Sequence, residues 1–147
     1  MKLKVQVGLV VFSFLFSGVL HAEMREATLS NMQGQVLVRQ GASDWKPATP
    51  GMKIATSDEV KTEKKSTVDI LLDNGNTGKV TVAEKSVFKI DTMDGDSNRG
   101  DKVTYLNLAL GKILVHAEKL QGNSKFEVRT PTSTTGVRGT LFEVSVD

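Results

Sequence analysis

The chain has 147 residues, with 19 Lys and Arg, 17 Asp and Glu, 2 His and no Cys. Lys2 and Lys4 lie in the first 22 residues, which carry no acid, so 19 − 2 = 17 basic residues face 17 acidic ones in the remainder. That neutral balance gives no electrostatic reason to bind nucleic acid, and the absence of cysteine excludes a disulfide scaffold and the Cys-based zinc sites.

Lys2 and Lys4 precede an apolar run from Val5 to Leu20 that ends at His21-Ala22. A charged start, a short apolar core and a small final residue mark residues 1–22 as a secretory signal peptide. The run is shorter than the ~20 residues of a spanning helix. Leu20 is larger than the ideal residue at its position, so the rival reading is an uncleaved N-terminal anchor, the only membrane contact expected. Cleavage leaves 147 − 22 = 125 residues, 23–147, enough for one domain with a hydrophobic core.

Residues 23–30 read as a lead-in. Two-residue alternation then dominates: Val36/Val38, Val68/Ile70/Leu72, Val80/Val82, Phe88/Ile90, Leu106/Leu108/Leu110, Ile113/Val115/Ala117, Phe126/Val128 and Phe142/Val144/Val146. Each stripe predicts a half-buried strand. Turn residues separate them at Asp73–Asn76, Asp94–Asp96, Gly111, Gly122-Asn123 and Thr130-Pro131. Thr81–Ser86 is a weak helix candidate that Val80 and Val82 oppose. The expected fold is all-β: a single-domain antiparallel sandwich, jelly-roll-like, or a β-roll. The stripes recur at unequal spacings, so no solenoid repeat is assigned.

Little here suggests catalysis. With His21 in the leader, His116 is the only histidine of residues 23–147. It opposes the Ile113/Val115/Ala117 stripe and reads as a surface histidine, since a triad or a zinc site needs partners that are missing. Asp94-Gly95-Asp96-Ser97-Asn98-Arg99-Gly100-Asp101 offers alternate oxygens as a calcium loop does. However, Arg99 stands where the sharp-turn glycine belongs, and Tyr105 where the bidentate acid belongs. It reads as a solvated hairpin tip. Gly75-Asn76-Thr77-Gly78-Lys79 lacks the spacing of a phosphate loop and reads as a hairpin turn. The run Lys61, Glu63, Lys64, Lys65 is an exposed strand face or edge. No metal, cofactor or enzymatic activity is expected. Phe88, Phe126 and Phe142 fall in apolar stripes and read as core. Trp45, in a Pro-containing loop, is a candidate ligand or partner contact, although a tryptophan more often caps a core edge.

The least ordinary stretch is Arg129–Val144, RTPTSTTGVRGTLFEV. Pro131 ends a strand, and Thr132–Thr135 can bond turn backbone. Strict alternation from Phe142 puts Arg138 and Thr140 on the apolar face. A bulge at Gly139 shifts the register and returns Val137 to that face. Arg138 then points away, with donors for carbonyls of the 130–136 loop. The stretch predicts a structural corner that ends in a closing strand.

Phe126-x-Val128-x-Thr130-Pro131 followed by Gly136-Val137-Arg138-Gly139-Thr140-x-Phe142-x-Val144 resembles the FecR domain family. Gly34-x-Val36, Trp45-x-Pro47, Gly51, Thr62, Val68-x-Ile70-x-Leu72-Asp73-x-Gly75 and Leu108-x-x-Gly111-x-Ile113-x-Val115 extend the resemblance over most of residues 30–146. It implies a small all-β, jelly-roll-like or β-roll domain without a catalytic centre, at work in the periplasm. The family's regulators join that domain to a cytoplasmic, sigma-factor-binding segment through a transmembrane helix. Only Met1–Lys4 precede the apolar run here, so the resemblance is to a stand-alone exported FecR domain. The expected function is non-enzymatic binding of an envelope protein, in signalling or scaffolding. The alternative is a small-ligand or cell-wall glycan-binding module that uses Trp45.

Overall fold

A computed structural model describes residues 24–96 and 98–147. The signal peptide expected at residues 1–22 and the start of the mature chain at Glu23 lie outside the described residues. Twelve strands form one sheet: β1 (Ala27–Gln33), β2 (Val36–Arg39), β3 (Lys46–Pro47), β4 (Lys53–Ile54), β5 (Glu59–Thr62), β6 (Thr67–Leu72), β7 (Gly78–Val82), β8 (Val87–Asp96), β9 (Asp101–Ala117), β10 (Lys125–Arg129), β11 (Thr134–Gly136) and β12 (Leu141–Val146). A 3-10 turn, Asp73–Gly75, links β6 to β7. The described residues contain no helix long and apolar enough to cross a membrane.

The sheet is curled, and β9 belongs to both of its halves. Residues 101–110 of β9 pair with β8, continuing through β5 and β2 to β3, and residues 103–107 pair on the other side with β10, which in turn pairs with β11. Residues 111–117 pair with β7, continuing through β6 and β1 to β4, and on the other side with β12. The inner rows of both halves form one core. Leu29, Ile70 and Ile113 come from one half; Phe88, Leu106 and Phe126 come from the other. Burying side chains of this size contributes roughly 1.5–3 kcal/mol each. The all-β roll expected from the alternation is therefore present.

Five details differ from the sequence reading. The stripes on either side of Gly111 are one 17-residue strand, bent at that glycine. Asp94–Asp96 continue β8, and the hairpin turns later, because their backbones pair with Val103, Lys102 and Asp101. The lead-in is already structure, with Ala27 and Leu29 fully buried in β1. Pairing is antiparallel except between β9 and β10, which run parallel. The lysine run is also no edge, since β5 lies between β2 and β8.

A recurring corner carries the chain between the halves. Ser57-Asp58, Lys65-Ser66 and Lys85-Ser86 each place a residue of positive φ before a buried polar side chain. Asp58 Oδ2 accepts from Ala55 N–H at 2.9 Å, Ser66 Oγ from Gln35 N–H at 2.8 Å, and Ser86 Oγ from Lys112 N–H at 3.0 Å. The second and third corners also bond to each other, Lys85 N–H donating to Glu63 O at 3.2 Å. The turn therefore repeats although the strand lengths do not.

Candidate interaction surface

The corner between β10 and β12 is assembled from a tight turn and a bend. Thr130 N–H donates to Ser133 O at 2.8 Å, and Thr130 Oγ1 accepts from Ser133 N–H at 3.0 Å. Pro131 is exposed at the turn and leaves no buried donor unmet. The strand β11 returns along β10, and Val137 N–H closes on Phe126 O at 2.8 Å. Val137 is buried, 5% exposed, as the parity argument requires. Gly136, Arg138, Gly139 and Thr140 are exposed.

The expected bulge is instead a bend between separate strands. Gly139 has φ +61, and a Cβ there would lie 3.2 Å from Lys119 Cα. The chain leaves the β10–β11 half there and joins the β9–β12 half through Ala117 N–H donating to Thr140 O at 3.1 Å. A bulge would have kept one strand in one half.

Arg138 corrects the sequence reading more sharply. Its side chain is exposed and makes no hydrogen bond or ion pair to another described residue, and the Ser133 carbonyl is met from within the turn by Thr130. It stands on the rim of an open groove with Lys125, over a floor of Leu120, Phe126 and Val137. Lys119 lies alongside, against Gly139. The nearest ion pairs, Arg129–Glu127 at 3.3 Å and Lys112–Glu143 at 3.4 Å, leave these three cations out. The surface thus combines an apolar floor with three cations that make no ion pair among the described residues, and the one acid lining the groove, Glu127, is paired with Arg129.

The other candidates are separate from it. Trp45 is half-buried outside the core cluster, and Arg39 covers its ring at 4.7 Å. Arg39 is itself held by Glu59, its Nε donating to Oε2 at 2.6 Å. One face of the ring is occupied by that guanidinium. His116 lies exposed on the outer face of β9 opposite Lys79 and Leu141. The acids of the 94–101 hairpin diverge. Asp96 accepts from Asn98 N–H at 2.9 Å, whereas Asp101 accepts from Asn123 N–H at 2.9 Å.

Sequence reasoning missed Arg25. Its guanidinium is buried against Asp73 (2.7 Å), Thr77 (3.2 Å), Thr104 (3.0 Å) and the carbonyls of Asp94 and Val103 (both 3.0 Å). Burial pushes the Asp73 pKa upward and is the largest single influence. Hydrogen bonds from Arg25 and Thr77, with the charges of Arg25 and Lys102, more than offset it, so the pKa lies below the ordinary 3.8. All of Arg25's nitrogens are engaged, so it ties the N-terminal segment to two hairpins and leaves no donor for a ligand. A lone arginine before a strand carries no periodic signal.

Among models of known families, the FecR protein family matches residues 58–147. The chain belongs to the FecR family. No curated protein and no solved structure matches it. The matched part of this FecR chain holds the 130–146 corner and all of β9. β1–β4 precede the match but pair within the same sheet.

Proposed function

We propose that this FecR-family protein is a non-enzymatic domain of the periplasm, delivered by its signal peptide, that binds a protein partner in envelope signalling. The observation that carries the reading is the groove beside Arg138, with its apolar floor and its cations unpaired among the described residues. Its chemistry suits an extended segment with acidic and apolar side chains, because charge steers such a partner and apolar burial holds it. Family membership supports the envelope setting.

The test uses tagged protein recovered from the periplasm, whose intact mass should be that of residues 23–147. Wild type should capture an envelope protein, and Arg138→Glu should lose it at least tenfold while its urea midpoint stays at the wild-type value. Full-length protein in the membrane pellet would overturn the localisation. Capture of glycan fragments in place of a protein, or capture unaffected by Arg138→Glu, would overturn the partner assignment.

A further inference from the structure

The sheet has four terminal strands, and three are blunted. β3 is two residues, Lys46-Pro47; β4 is two residues, Lys53-Ile54; and β11 is three residues, Thr134–Gly136. Short edges, lysine and proline discourage pairing with another chain. The strand β12 has none of these devices. It has six residues, LFEVSV, pairs among the described residues only with β9, and contains no Pro, Gly or Lys. Its inner row, Phe142, Val144 and Val146, packs against the core but stays half-exposed, and Leu141 is 65% exposed.

The ladder phase shows which backbone groups are free. Ala117 N–H donates to Thr140 O, and Leu141 pairs with His116 in the same register. Residues 142, 144 and 146 therefore exchange bonds with β9. The N–H and C=O groups of Leu141, Glu143 and Ser145 point to the open edge. We propose that this edge pairs antiparallel with the same strand of a second copy about a two-fold axis, with Val144 opposite Val144. In that register Phe142 meets Val146 of the second copy, and Glu143 exchanges backbone bonds with Ser145 of the second copy. Both half-exposed apolar rows are covered and no like charges are opposed. The neighbouring two-fold register puts Glu143 opposite Glu143, which is unfavourable. The balance of 17 basic and 17 acidic residues over 23–147 removes net repulsion between copies. An isologous contact needs this self-complementarity, which a heterologous strand would not demand of β12. The inference goes beyond the partner reading, since Arg138 is not in the edge.

The exported protein tests it by sedimentation over a range of concentrations. Wild type should approach twice the single-chain mass. Ser145→Pro, which removes an edge-facing N–H but no bond to β9, should remain single at every concentration. Because the chain has no cysteine, Val144→Cys gives a second readout independent of Ser145→Pro folding. Opposed residues of a non-hydrogen-bonded pair have Cα atoms about 4.5 Å apart, within the roughly 4.4–6.8 Å a disulfide spans. Mild oxidation should link Val144→Cys chains and leave Glu143→Cys chains unlinked. Single-chain mass throughout, linkage through Glu143→Cys instead, or linkage of Val144→Cys only to a different envelope protein would each overturn the proposal.

Discussion

At the scale of single residues, buried charge and exposed charge carry opposite consequences. Arg25 is buried, and its removal takes a side-chain donor from two carbonyls and leaves Asp73 with Thr77 and Lys102 alone. Arg25→Ala should therefore cost about 3–5 kcal/mol, as for a broken buried pair, read as a fall in the urea midpoint. The pH dependence has a definite sign. Asp73 has a folded pKa below its ordinary 3.8, so its contribution is present above that value and is lost as pH falls through it to the folded value. Stability should drop as pH falls through 3.8 and below, and Asp73→Asn should flatten that part of the profile. An unchanged acid slope in Asp73→Asn would refute the assignment. Arg138 was legible only in part. Its parity took it off the apolar face, but whether a carbonyl waited for it depended on a turn that satisfies itself through Thr130.

At the scale of elements, the long strand β9 decides the shape. Gly111 has φ +95, and a Cβ there would come within 2.5 Å of Ser86 Cα. Both the conformation and the close approach require glycine at the bend. Gly111→Ala should cost roughly 1–3 kcal/mol through the clash with Ser86, whereas at an ordinary strand position alanine is favoured over glycine by roughly 0.5–1 kcal/mol. Gly41→Ala, which also has positive φ but meets nothing within 4 Å, should cost less. Thermal midpoints of the two variants check this, and equal losses would show that the contact with Ser86 is unimportant. The stripes Leu106/Leu108/Leu110 and Ile113/Val115/Ala117 were both legible. Their continuity was not, because a glycine between stripes signals a turn as readily as a bend.

At the scale of the whole molecule, the shared strand couples the two halves. Neither half keeps its middle strand if the other opens, and Phe126 and Ile113 lie in one core cluster. Unfolding should be a single transition. Trp45 reports the β2–β3 edge, far from the β9–β12 half, so its fluorescence midpoint in urea should coincide with the midpoint of far-UV circular dichroism. Separated midpoints would mean that the halves unfold independently. The family match from residue 58 onward does not alter this, because β1 and β2 complete both halves.

Alternation by itself determined the all-β class and most of the inner rows, with Leu110 the exception at 47% exposed, since a strand's period of two can be read from side chains one after another. The FecR motif was legible for the same reason, as a run of neighbouring residues. Tertiary structure alone decided that Arg25 is bound, that Arg138 is free, that Trp45 lies under Arg39 and that β12 keeps an open edge. Each of these depends on groups remote in the chain: Arg25 meets Asp73 and Thr104, 48 and 79 residues away. Hydrogen-bond satisfaction is a property of the places where distant segments meet, and local pattern holds no record of it.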